Sequence, residues 1–365
     1  MKAALIVTNL RGGGAEKAFI QYASLLHRAG HEVSLVLLED LRQHEVPGGV
    51  PVTGLSRPGE PVSKGWLGKR WLAWRLKQRL KALTGEKPFD LILSTLPFAD
   101  EVCRQAGLPH HWMRVANTLS REIEALRSTD PGKAARRLER YRTLYDGQHV
   151  IAVSSGVAAD LRENLKINPA ALRVIHNPFD LRGIPERARA PQPTLPTEPY
   201  AIHVGRFAKQ KRHDLLLSAW QRMREPRLLL LLTEPDAGLQ QMIQERDLSD
   251  RVIITGFQTN PYPWIAGARL LILSSDHEGM PNVLIEALAC GTPVVSTDCP
   301  SGPRELLATD LPEALVPMND VDALVAGIER MLALPDAAGR VDLTGFSPEV
   351  TLAAIEALVA EQGRK

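Results

Sequence analysis

Short apolar runs alternate with longer helical patterns twice over in this chain, and a proline-rich stretch separates the two series. That alternation constrains the fold most, because strands separated by helices assemble into parallel sheets. The first series opens with Ala3–Val7, a glycine-rich turn over Arg11–Glu16, a helical pattern over Lys17–Arg28 and a second run at Val33–Leu38. Phe89–Ser94, His149–Val153 and Arg173–Ile175 predict further strands. Residues Arg182–Pro199 carry prolines at 185, 191, 193, 196 and 199 with almost no apolar periodicity, which reads as an interdomain linker. After it, strands are predicted at Tyr200–Val204, Arg227–Leu232, Arg251–Thr255, Arg269–Ser274 and Pro293–Ser296. Helices are predicted at His213–Met223, Gly238–Glu245, Pro281–Cys290, Arg304–Ala308 and Asp320–Leu332. A length of 365 residues exceeds what one core usually organises. The expectation is therefore two doubly wound α/β domains, 1–181 and 200–346, joined by 182–199.

Other classes fall away quickly. With 44% apolar and 24% charged residues, the chain is neither disordered nor fibrous. No apolar run approaches the roughly 18–20 residues that cross a bilayer. Met1–Leu10 is a short apolar run that meets Arg11 and three glycines, a first strand and not a signal peptide. Cys103, Cys290 and Cys299 are unevenly spaced, fitting a reducing cytoplasm. Charge is uneven: residues 1–180 hold 26 Lys/Arg against 18 Asp/Glu, so the first half is expected to face something anionic.

Ligands of open parallel sheets bind beyond the carboxyl ends of the strands, so the loops there carry the functional reading. Ser274–Cys290 reads SSDHEGMPNVLIEALAC, a polar loop followed by a helix with Pro281 at its first position. The backbone N–H groups of Asn282, Val283 and Leu284 at that helix mouth would favour a phosphate or diphosphate. Glu278 and Glu286, eight residues apart, would hold two parts of one ligand. An amphipathic core helix with a solvated Glu286 is the plain alternative. Gly205–Arg212 follows the first strand of the second half and gathers Arg206, Lys209, Lys211 and Arg212 on the same rim, as a diphosphate requires. Phe257 ends another strand there, placed to hold a nucleobase. Ser301–Glu305 (SGPRE) opens one more helix, with Pro303 at its first position.

Gly205-Arg206, then Lys211, and then EGMPNVLIEALACGTPVVST with its E-x7-E spacing resemble glycosyltransferase family 4. GGGAE, IAVSSGVAADL, VIHNPFD and TGFQTNP fall where that family has similar segments, so the resemblance spans essentially the whole chain. It implies a GT-B fold, two Rossmann-like domains facing a central cleft, and a final helix within 347–365 that returns to the first domain. It also implies retaining transfer from a nucleotide-sugar, with UDP and a hexose or N-acetylhexosamine as the commonest choice. Arg206 and Lys211 would bind the diphosphate, Glu286 the ribose and Glu278 the transferred sugar. Gly205, Gly279, Met280, Pro281 and Asn282 would supply backbone around it, and Gly13 and Gly14 would approach from the first domain. Many relatives place a histidine in the first-domain loop; here Arg114–Ser120 reads RVANTLS with Ala116 in its place, leaving Arg114, Asn117 and Glu16 as acceptor-side candidates. No metal or other cofactor is expected, since Arg206, Lys211 and helix amides would stabilise the leaving group.

Pro61–Gly85 holds seven Lys/Arg, no acid, and Trp66, Trp71 and Trp74, half of the tryptophans. Leu72, Leu76, Leu80 and Leu83 form one helical stripe, open to either a core or a membrane reading. The tryptophans with Lys77 and Lys81 form a flank suited to an anionic membrane surface. A peripheral enzyme on the inner face of the cytoplasmic membrane, acting on a lipid-linked or lipopolysaccharide glycan, follows as the expectation. A nucleotide-sugar sensor or scaffold is one rival. A dinucleotide enzyme using Gly12, Gly14 and Glu39 is another, weakened by Lys17 at the third glycine position. Nucleic-acid binding is not expected, because no recognition motif accompanies the basic half.

Overall fold

The computed structural model describes residues 1–11, 13–46, 48–85, 87–334 and 336–362. Gly12 of the glycine-rich turn and the end of the expected last helical stretch, 363–365, lie outside them. The chain divides into two units, Met1–Pro178 with the stretch from Phe346 onward, and Phe179–Gly345.

The first unit is built on seven parallel strands: β1 (Lys2–Val7), β2 (Glu32–Leu37), β3 (Val52–Gly54), β4 (Leu91–Thr95), β5 (His111–Val115), β6 (His149–Ala152) and β7 (Ala171–Val174). Their order across the sheet is β3-β2-β1-β4-β5-β6-β7. All six residues of β1 are buried, as a strand covered on both faces must be. Its side chains alternate between two cores. Ala3, Leu5 and Val7 pack with Phe19, Tyr22 and Leu26 of the helix Gly14–Arg28, while Ala4 and Ile6 pack with Leu72, Leu76 and Leu80 of the helix Trp66–Thr84. The leucine stripe of Trp66–Thr84 is therefore core, each side chain contributing roughly 1.5–3 kcal/mol by burial. The helix Pro348–Gln362 belongs to this unit: Ile355 and Leu358 join the first core, and Thr351 donates to the His176 carbonyl at 3.2 Å.

Strands β3 and β5 escaped the apolar pattern. In β5, His111 and Arg114 interrupt it, yet both find partners inside the unit: His111 meets the Ser94 hydroxyl at 2.8 Å and Arg114 meets Thr95 at 3.1 Å. The stretch read as a linker also differs. Gly183–Ala188 within it is a helix of the second unit, opened by Asp180 accepting from the Gly183 amide at 3.0 Å. Its single large apolar residue, Ile184, is fully buried, which anchors a segment that has no periodicity to display.

The second unit carries six parallel strands: β8 (Tyr200–Val204), β9 (Leu228–Leu232), β10 (Val252–Ile254), β11 (Leu270–Leu273), β12 (Val294–Thr297) and β13 (Leu315–Val316). The order is β10-β9-β8-β11-β12-β13. Succession runs outward to one side from β8 and then resumes at β11 on the other. The loops after β8 and β11 thus diverge at a topological switch point, where open α/β sheets leave a crevice.

Candidate active site

Those two loops are where the sequence concentrates its charge. Beyond β8 the chain turns through Lys209–Lys211, passes a left-handed Arg212 (φ 50°) and enters the helix His213–Trp220. Beyond β11, Ser274–Pro281 leads into the helix Asn282–Ala289. The loops are laced together: the Asp276 amide donates to the Gln210 carbonyl at 2.8 Å, the Gln210 side chain to the His277 carbonyl at 2.5 Å, and the Ser274 hydroxyl to the Lys211 carbonyl at 2.8 Å. The consequence is a fixed ion pair, Lys211 Nζ to Glu278 Oε1 at 2.6 Å, with both side chains mostly buried.

The four basic residues of this rim have separate fates. Arg212 is spent on structure, donating to Asp214 at 3.0 Å, to Asp276 at 2.8 Å and to Asn319, which holds its guanidinium even more firmly protonated than usual. Lys211 is paired. Arg206 and Lys209 are exposed, and Arg206 has no hydrogen bond or ion pair among the described residues. Two cationic groups, one held in an ion pair and one exposed, suit an anion with more than one charge.

Glu286 is buried on the second turn of Asn282–Ala289, where Tyr262 donates to its Oε1 at 3.3 Å. The plain alternative of a solvated Glu286 is thereby removed. Arg187 lies over the Tyr262 ring at 4.8 Å, so the helix within the expected linker braces this carboxylate. The helix mouth differs from expectation in two respects. Pro281 is the capping residue, with the helix starting at Asn282, and the Leu284 amide is already bonded to the Pro281 carbonyl at 3.0 Å in a tight first turn. Asn282 and Val283 are the first two residues of the helix at its mouth. Gly279 and Met280 are buried beneath it, and Leu284 is a core side chain.

SGPRE opens only a six-residue helix, Gly302–Leu307. Its part here is steric: a Cβ on Gly302 would lie 2.2 Å from Pro281 Cδ and 2.8 Å from Met280 Cα, so glycine alone lets this backbone press against the Glu278–Pro281 turn. Gly205 is less constrained, its added Cβ meeting Lys211 Cε at 3.3 Å. Phe257 follows β10 and is half exposed, after Gly256 in the left-handed region (φ 75°). Beneath the rim His203 and His213 meet edge to face at 4.7 Å; burial holds His203 well below its ordinary pKa and pushes His213 down to about 4, with Lys211 adding to both shifts, so the pair is neutral. Cys290, pushed up to about 12 by burial, is no nucleophile. Tyr262, Gln210, Gly302 and the two histidines carried no sequence signal beyond their place beside the motif.

In the first unit the candidates separate. Gly13 caps the helix Gly14–Arg28, and a Cβ there would meet only the flexible end of Glu16; Gly14 is exposed. Asn117 is half-buried, donating to Glu122 at 3.3 Å. Arg114 is 1% exposed: it donates to Thr95 and Asn177 and lies over the Tyr22 ring at 5.5 Å, so it is bonded within the unit and its side chain is closed to solvent. Glu39, which a dinucleotide reading needs for ribose, is 2% exposed and accepts from Asn9 at 2.6 Å and the Val62 amide at 3.3 Å. Trp66, Trp71 and Trp74 are exposed on the helix Trp66–Thr84 together with Lys77 and Lys81.

Comparison with known proteins places this arrangement. The family model described as Glycosyltransferase Family 4 matches residues 12–182, and that described as Glycosyl transferases group 1 matches residues 198–334. The chain is 28% identical over 335 residues to N-acetylgalactosamine-N,N'-diacetylbacillosaminyl-diphospho-undecaprenol 4-alpha-N-acetylgalactosaminyltransferase of Campylobacter jejuni, covering 91% of this chain and 90% of that one. It is 26% identical to the lipopolysaccharide core biosynthesis glycosyltransferase LpsD of Rhizobium meliloti, over 87% of this chain and 84% of that protein. Among solved structures, HepE of Anabaena in complex with UDP and glucose superposes with a TM-score of 0.73 at 19% identity, covering 99% of this chain and all of the other. Fold and family models together define a glycosyltransferase of the GT-B class. Between them the two family models take in both units, the first unit matching the model of Glycosyltransferase Family 4 and the second that of Glycosyl transferases group 1.

Proposed function

We propose that the enzyme moves a hexose or N-acetylhexosamine from a UDP-sugar to a hydroxyl of a lipid-linked or lipopolysaccharide glycan, with retention at the anomeric carbon, at the inner surface of the cytoplasmic membrane. The observation that carries this reading is the rim at the carboxyl ends of β8 and β11, where the Lys211–Glu278 pair, exposed Arg206 and the mouth of Asn282–Ala289 lie on successive loops. As the acceptor oxygen bonds to the anomeric carbon, the bond from that carbon to the β-phosphate breaks and negative charge gathers on the departing diphosphate. Arg206, Lys211 and the amides of Asn282 and Val283 would stabilise that charge without reorganising, with no metal assigned a part. The departing phosphate takes the acceptor's proton. Glu286, braced by Tyr262, would accept the ribose hydroxyls, and Glu278 would orient the sugar while holding Lys211 in place. Phe257 would lie against the base. The names of the relatives support the acceptor class: one transfers N-acetylgalactosamine to a diphospho-undecaprenol-linked saccharide and one is a glycosyltransferase of lipopolysaccharide core biosynthesis.

The test is a release assay that reads UDP and GDP, with a panel of UDP-hexoses, UDP-N-acetylhexosamines and GDP-mannose, with and without a polyprenyl-diphosphate or lipopolysaccharide-core acceptor. Acceptor-dependent release, abolished in Glu286→Ala, is the expected result. Release from GDP-mannose alone would overturn the choice of UDP, and absence of release from any nucleotide-sugar would overturn the assignment of the rim.

A further inference from the structure

Six tryptophans divide evenly between two environments. Trp112, Trp220 and Trp264 are 4% exposed or less, whereas Trp66, Trp71 and Trp74 are 64%, 48% and 60% exposed. With Leu67, 72% exposed, these three place four large apolar side chains within nine residues of one helix. That helix, Trp66–Thr84, has already committed Leu72, Ala73, Leu76 and Leu80 to the core, so the tryptophans are not a misplaced part of its buried stripe. At 100° per residue Leu67, Arg70, Trp71, Trp74, Lys77 and Lys81 share one outward face. Arg70 lies over the Trp66 ring at 5.0 Å and Arg75 over the Trp71 ring at 4.7 Å. A groove of about 670 Å³ adjoins the face, walled by Leu67, Trp71, Arg75 and the Arg57–Glu60 ion pair. No acidic residue occurs between Pro61 and Gly85.

We propose that this face is a docking surface for an anionic bilayer, with the helix lying in the plane of the interface. Trp66, Leu67, Trp71 and Trp74 sink to the boundary between headgroups and acyl chains, and Arg70, Lys77 and Lys81 reach lipid phosphates. Tryptophan's apolar ring and N–H donor suit that depth, and guanidinium groups stacked on the rings bring positive charge to the same level. Charge selects the occupant. A second copy of the chain would set this acid-free basic helix against itself, whereas an anionic membrane complements it. No described helix is long and apolar enough to cross a membrane, which fits a surface contact. The inference deepens the proposed function by assigning the element that brings the enzyme to its lipid-linked acceptor, and rests on that reading only for the acceptor.

The experiment is co-sedimentation of the full chain with phosphatidylcholine vesicles and with vesicles containing one-third phosphatidylglycerol, at low and high salt. Wild type should bind the anionic vesicles and largely lose them at high salt. Trp66→Ser/Trp71→Ser/Trp74→Ser and, separately, Lys77→Glu/Lys81→Glu should each weaken binding about tenfold or more, with circular dichroism and UDP affinity unchanged. Vesicle binding by the triple variant equal to wild type would overturn the proposal. So would a wild-type dimer that the triple variant abolishes without any vesicle binding. UDP affinity is read without membranes, so failure of docking is distinct from failure of the transferase reading.

Discussion

Arg114 and Arg206 both stand near the carboxyl end of a parallel strand, one in each unit, and the structure gives them opposite surroundings. Arg114 lies inside β5, in register with Thr95 of β4, so its side chain is delivered into the layer between sheet and helices. There it is bonded and lost to solvent. Arg206 lies two residues beyond the last residue of β8, where the chain has left the sheet, and its side chain is exposed. Three residues of offset, measured from the strand end, separate a buried guanidinium from an exposed one. The difference extends to both regions: charges near β4 and β5 face inward and should be read in stability, whereas charges after β8 and β11 should be read in turnover.

The comparison breaks first at Arg206→Ala. Turnover should fall about 10²–10³-fold through loss of charge stabilisation on the leaving diphosphate. Unfolding free energy should stay within about 0.5 kcal/mol of wild type, because the side chain is exposed. A stable variant with full turnover would remove Arg206 from the reaction. Arg114→Met should do the reverse, costing about 2–4 kcal/mol in urea denaturation because Thr95 and Asn177 lose their partner, while kcat per folded molecule is kept. A large fall in kcat with unchanged stability would restore Arg114 to the acceptor side.

Asp100 sharpens the same contrast through pH. It is fully buried, accepting from Ser94 at 2.5 Å and Tyr145 at 2.8 Å, and burial raises its pKa to about 7. Because the unfolded chain releases this proton near pH 4 and the folded chain only near 7, the folded state binds more protons between them. Stability contributed by neutral Asp100 is therefore full below the lower value and declines as pH rises to about 7. Asp100→Asn should remove that decline, worth roughly 1–3 kcal/mol across the window. Urea midpoints at pH 5 and pH 7.5 that drop equally in wild type and variant would discount it. The smallest effect is expected from Phe257→Ala, with unchanged stability and UDP affinity several-fold weaker, worth about 1 kcal/mol if the ring lies on the base.

What the sequence disclosed follows the same division. Strands covered on both faces, such as Ala3–Val7 and Leu228–Leu232, announce themselves as unbroken apolar runs. The motif from Glu278 to Glu286 survives as spacing because loop and helix hold it locally. His111–Val115 was hidden because His111 and Arg114 break its apolar pattern and find partners in Ser94, Thr95 and Asn177, one of them far away in the chain. The helix Gly183–Ala188 was hidden because one isoleucine anchors it. Among the rim's basic residues, spacing could not tell Arg212, spent on Asp214, Asp276 and Asn319, from Arg206. Nor could it find Tyr262, whose bond to Glu286 joins two helices across 24 residues of sequence.

Calorimetric titration of UDP into wild type, Glu286→Ala and Arg114→Met addresses the assignment of the second-unit rim most directly. The expected result is UDP binding that weakens at least about tenfold in Glu286→Ala, through loss of ribose hydrogen bonds, and persists in the folded fraction of Arg114→Met. UDP affinity indifferent to Glu286→Ala, or binding of NAD in place of UDP, would contradict it.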